Sequence, residues 1–96
     1  MIRHICMFKI KEENKEKNLA DLLEKVQSLR AISEIKRFDV VLNVEGTPET
    51  NYDVSLIFDF DTIADLETYQ KNEIHVNFGK FVSAMREARA CIDYEM

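Results

Sequence analysis

The chain opens MIRHICMFKI, a run that is apolar on both sides when extended. Successive side chains of a strand point to opposite faces of a sheet. Ile2, His4, Cys6, Phe8 and Ile10 therefore share one face, and Met1, Ile5 and Met7 the other. A strand with one wet face alternates apolar and polar residues. This one does not, so both faces need cover. In a chain of 96 residues helices can shield one face, and the second calls for another subunit. His4 sits mid-strand, on a face that is either buried or lines a pocket.

Composition narrows the function classes. Residues 1–96 read as one domain. Hydrophobic residues make up 46% and charged residues 32%, and there are two Gly and one Pro, a balance that suits a globular fold and not a disordered chain. The net charge of −5 comes from 13 basic and 18 acidic residues. Phosphate recognition rests on clustered Lys and Arg. Here the basic residues are scattered among acidic ones, so nucleic acid is not an expected partner. No apolar run approaches the ~18–20 residues that span a bilayer. Polar residues follow the first strand directly, unlike a signal peptide. The expected location is the cytoplasm, with no membrane partner.

The hydrophobic pattern gives the element order. Leu19, Leu22, Leu23, Val26 and Leu29 form the stripe of an amphipathic helix, predicted from about Glu13 to Ser33. A second strand is predicted at about Ile35–Val44, with Phe38, Val40, Leu42 and Val44 on one side. EGTPETN, Glu45–Asn51, is a turn. In a third strand, Tyr52–Phe60, Tyr52, Val54, Leu56, Phe58 and Phe60 share one face. Asp61 or Thr62 can cap the following helix, which carries Ile63, Leu66 and Tyr69. A break at Lys71–Glu73 precedes a further helix, about Ile74 to Ala88, and the last strand starts near Ala90. The order β-α-β-β-α-β predicts an α+β, ferredoxin-like fold with a four-stranded antiparallel sheet and helices on one face. An apolar open face of such a sheet points to a symmetric homodimer that forms a dimeric α/β barrel.

Three residues can carry chemistry. His titrates near neutral pH and can take or give a proton, and Tyr can donate a hydrogen bond to a developing oxyanion. Tyr69 lies near the end of one helix and His75 near the start of the next, so the break between them can turn both toward the sheet, where His4 lies. Such a trio suits proton abstraction beside a carbonyl, or binding of a small, partly apolar ligand. Each residue alone also has a structural reading, as a hydrogen-bonded core or helix residue. No cofactor is expected, since the chain has neither a phosphate loop nor a dinucleotide fingerprint. Metal binding at His4 and His75 lacks an evident third ligand. Cys6 and Cys91 lack zinc-site spacing and read as small core residues, although a disulfide between neighbouring strands stays open.

The opening strand with its His, the third strand ending FDFDT, the segment LETYQKNEIHVNFGKFV and the closing CIDYE resemble the stress-responsive dimeric α/β-barrel (Dabb) family over essentially the whole chain. The most specific marks are His4 and the Tyr-x5-His-x2-Phe pattern of Tyr69, His75 and Phe78. The resemblance implies a ferredoxin-like protomer paired through its sheets. A plant polyketide cyclase of that family, olivetolic acid cyclase, implies His75 as general base and Tyr69 as holder of a thioester carbonyl. It also implies His4, Cys6, Phe8, Leu56 and Phe78 as cavity-lining positions. Asn72 and Glu73 stand where the family often has a His-Pro pair, and the first helix has none of the pocket-shaping aromatics of the cyclase. The expected function is therefore binding of a small, partly apolar ligand in a barrel cavity. The alternative is a small cyclase, isomerase or lyase using His75 and Tyr69.

Overall fold

Burial alternates along β1 (Ile2–Ile10) without a break: even-numbered residues are buried and odd-numbered ones half-buried. The computed structural model describes residues 1–96. After β1 come α1 (Lys15–Lys25) with a 3₁₀ segment at Val26–Ala31, β2 (Arg37–Leu42), β3 (Val54–Phe60), α2 (Ile63–Lys71), α3 (Glu73–Ser83) and β4 (Arg86–Glu95). The sheet order is β2-β3-β1-β4, and each neighbouring pair is antiparallel. This is the ferredoxin-like βαββαβ arrangement that the hydrophobic pattern predicts.

Helices cover one face of the sheet. Leu22, Val26 and Leu29 are fully buried, so the leucine stripe of α1 and its 3₁₀ extension meets the core. Phe58, Phe60 and Tyr69 are among the largest side chains sealed there. In the covered face the register sets Phe38, Phe58, His4 and Asp93 in one row across the four strands. The next rows run Val40, Leu56, Cys6, Cys91 and then Leu42, Val54, Phe8, Arg89. Apart from His4 these rows are apolar until they reach edge strand β4, which contributes Asp93, Cys91 and Arg89.

The opposite face has no helix over it. Its central row brings Ile57, Ile5 and Ile92 side by side, and the next places Met7 between Ser55 and Ala90. Val41 and Ile92 are exposed there. At one end Arg3 holds Asp59 through two parallel hydrogen bonds, Nε to Oδ1 at 2.9 Å and Nη2 to Oδ2 at 3.0 Å. That fork holds the Asp59 carboxyl below the usual carboxylate range.

Several boundaries differ from the sequence pattern: β2 covers Arg37–Leu42 and not Ile35–Val44, β3 begins at Val54 and not Tyr52, and β4 begins at Arg86 and not near Ala90. The first helix tightens into a 3₁₀ turn at Val26 and ends at Ala31. The last helix stops at Ser83, not Ala88, because Arg86 and Ala88 pair with Ile10 and Lys9 of β1. The helix-favouring run MREARA yields there to strand pairing, a tertiary effect that outweighs local propensity. The cavity lies within the protomer, between the covered sheet face and α2–α3, so His4, Phe8 and Leu56 are sheltered without a second copy.

Candidate functional site

The break between α2 and α3 is built on Asn72. It ends one helix and caps the next with extended backbone, ψ 134°. Its N–H donates back to the carbonyls of Thr68 and Tyr69, and its Oδ1 accepts from the Ile74 N–H at 2.9 Å. Asn is suited to this double duty because its side chain replaces a helical carbonyl at a free helix start. The resulting turn sets Tyr69, in the last turn of α2, against His75, in the first turn of α3, with ring centroids 4.4 Å apart. The ring of His4, from the strand beneath, stands edge-on to Tyr69 at 6.0 Å.

These three groups line one cavity of about 160 Å³. Cys6, Phe8 and Leu56 form its floor and Phe78 part of its roof, so all seven candidate residues meet in one place. A wider depression, about 570 Å³, lies beside the β2–β3 connection and is lined by residues such as Met7, Val41 and Tyr52. It contains no histidine and belongs to the open side of the sheet.

Hydrogen bonding assigns the two imidazoles different tasks. Nδ1 of His75 lies 3.0 Å from the carbonyl oxygen of Gln70. A carbonyl only accepts, so Nδ1 carries the proton and Nε2 keeps its lone pair. Burial pushes the His75 pKa below its usual 6.5, with His4 and Arg89 adding to the effect, so the ring is neutral at pH 7. His4 donates through Nδ1 to Asp93 on β4, which fixes the ring's orientation. No buried polar side-chain atom lacks a partner, and neither the Tyr69 hydroxyl nor Nε2 of His4 is bonded to protein. Both therefore open onto accessible space. Burial raises the Tyr69 pKa well above 10, so the phenol stays protonated and acts as a donor. A neutral base, a phenol donor and an oriented imidazole around an apolar hollow can bind a carbonyl compound or move a proton on it.

Gln70, Arg86 and Arg89 line this cavity and Asp93 orients His4, and none of them is a candidate from the sequence pattern. Arg86, Arg89 and Asp93 come from β4, whose start the helical pattern hides. Arg89, Cys91 and Asp93 alternate, a period-two signal that places them on one face once the strand is recognised. The reading of both cysteines as core residues holds for Cys6, 4% exposed, and is corrected for Cys91, which is exposed on the edge strand. The two are directly opposite in register, their Cα atoms 4.3 Å apart, and are joined as a disulfide. Their sulfurs and a ring nitrogen of His4 fall within 4.8 Å of one another. A metal, however, needs the thiolate, and bonded sulfurs have none to offer.

Solved structures share this architecture. A dimeric protein of unknown function and ferredoxin-like fold from Bacteroides fragilis is 30% identical, with a TM-score of 0.83, covering 99% of this chain and 95% of its own. A Dabb family protein with a ferredoxin-like fold from Mesorhizobium loti is 23% identical, with a TM-score of 0.84 over 99% and 95%. A hydroxynitrile lyase from Passiflora edulis is 16% identical, with a TM-score of 0.85 over 99% and 92%, a likeness of fold alone. No curated protein matches by sequence. The model of the stress responsive A/B barrel domain matches residues 2–96, and with the βαββαβ topology in place the chain belongs to that family, Dabb.

Proposed function

We propose that this chain is a homodimeric barrel protein that holds a small, partly apolar molecule in the cavity beneath α2 and α3. The observation that carries the reading is the cavity itself. It sets His4, Tyr69 and His75 against Phe8, Leu56 and Phe78 within about 160 Å³. Apolar hollows of roughly 150 Å³ admit a molecule of about benzene's size. Few convergent polar groups in an apolar pocket are the usual make-up of a ligand site. The dimer is supported by the uncovered row Ile57, Ile5, Ile92 and by the dimeric relative from Bacteroides fragilis.

A second reading is a cyclase, isomerase or lyase, with His75 as base and Tyr69 as hydrogen-bond donor to a carbonyl. One specific observation favours it: the Gln70 carbonyl leaves Nε2 of His75 as the unprotonated nitrogen beside the Tyr69 ring. A hydroxynitrile lyase of the same fold supports the view that such a scaffold can host lyase chemistry.

The test replaces His75 by Ala and compares both proteins on thioester and β-keto substrates. Wild-type turnover that falls more than about 100-fold in the variant supports the base role. Turnover unaffected by the change excludes it. Saturable uptake of benzyl alcohol, with no turnover of any substrate, supports binding alone.

A further inference from the structure

The chain has five arginines, and their partners divide them sharply. Arg3 is held by Asp59 and Arg37 by Asp39. Arg30 donates to Gln27 and lies over the Phe38 ring at 4.1 Å. Arg86 and Arg89 have no carboxylate within 4.0 Å and no side-chain hydrogen bond, yet both line the cavity that holds His4, Tyr69 and His75. In a protein of net charge −5, two unpaired guanidiniums at one cavity mouth stand against the general charge balance. The nearest carboxylate on the same strand face, Asp93, is engaged by His4. Arg86 is half-buried, with its register partner Ile10 fully covered, while Arg89 is exposed opposite Phe8.

The geometry points to an anion subsite: Arg86 and Arg89 receive the carboxylate of a small acid whose apolar body enters the cavity toward Phe8, Leu56 and Phe78. This rests on the cavity's being a ligand site and names the class of ligand. The guanidinium fork matches a carboxylate in shape and has five donors to offer, and here none is used by the protein. The field of Arg89 at the Tyr69 hydroxyl and at His75 places its charge within reach of the cavity's polar centre. The small volume limits the acid's body to about one ring or a short branched chain. A cationic ligand meets two like charges at the entrance and is disfavoured.

Titration of the full chain with benzoate, benzyl alcohol and benzylamine tests this, read by shifts of backbone amide resonances. Benzoate binds at least about tenfold more tightly than benzyl alcohol, the worth of one charge-assisted contact, and benzylamine binds more weakly than either. Added salt weakens benzoate and leaves benzyl alcohol unchanged. The double change Arg86→Gln and Arg89→Gln removes the preference for benzoate but not the binding of benzyl alcohol, and Arg86→Lys with Arg89→Lys retains part of it. Equal binding of acid and alcohol overturns the anion subsite while leaving the cavity a ligand site. Binding of none of the three overturns both.

Discussion

Replacing Ile5 by Asp separates the two faces of the sheet. Ile5 lies at the centre of the uncovered face, between Ile57 on β3 and Ile92 on β4. It is at most about a third exposed in the protomer, so sheet-to-sheet pairing would bury up to about a third of its side chain anew. Full burial of an isoleucine is worth about 1.5–3 kcal/mol, and a third of that about 0.5–1 kcal/mol. Two-fold symmetry counts the change twice, giving about 1–2 kcal/mol. Each new carboxylate must also lose its water against an apolar row, a penalty of several kcal/mol per ion. The total exceeds about 4 kcal/mol, or roughly a thousandfold in the dimer dissociation constant. Within the protomer the cost is smaller. Two cross-strand contacts go, at roughly 0.2–1 kcal/mol each, together with a strand propensity difference of about 1 kcal/mol. That leaves a fold of ordinary stability intact. Sedimentation velocity at micromolar concentration is the assay, with far-ultraviolet circular dichroism to confirm folding. The wild type should sediment as a dimer and the variant as a folded monomer, while Ile63→Asp, on a 62% exposed position of α2, should stay dimeric. A monomeric wild type, or a variant that still pairs, refutes the assignment of this face as the interface.

If His75 acts as a base, kcat/KM is flat from neutral pH upward and falls only below pH 6.5, because burial lowers the pKa at which the ring charges. An acid limb centred at or above 6.5 contradicts this. The Arg3–Asp59 pair gives a second pH effect. Asp59 has a depressed folded pKa, so its contribution is complete above 3.8, its ordinary value, and is lost as pH falls through the lower folded one. Denaturant titrations of wild type and Arg3→Met should therefore converge on acidification, and parallel curves would dismiss the pair as a source of stability. The disulfide joins residues 85 apart in sequence. Cys6→Ser with Cys91→Ser should lower unfolding stability by roughly 2–4 kcal/mol, read from the urea midpoint, and an unchanged midpoint would show that the bond adds nothing.

How the site became visible follows from the range of each signal. Tyr69, His75 and Phe78 lie on two helices joined at one residue, so their convergence is a local matter of helical spacing and a single Asn turn. His4, Cys6 and Phe8 follow from strand parity alone. Arg86, Arg89 and Asp93 depend on where β4 begins and how it registers on β1, and the helix-prone run before it hides that start. The exposure of Cys91 is hidden because parity gives a residue's face but not the distance of its strand from the sheet edge.

By itself, the sequence determined the element order and which residues of a strand or helix share a face, since hydrophobic periods of two and near four are written along a few neighbouring residues. Only the tertiary structure decided that His4 meets Asp93, that Cys6 meets Cys91 and that two unpaired arginines border the cavity. Those meetings arise from pairing strands at opposite ends of the chain, where a shift of one residue in register would send each partner to the other face.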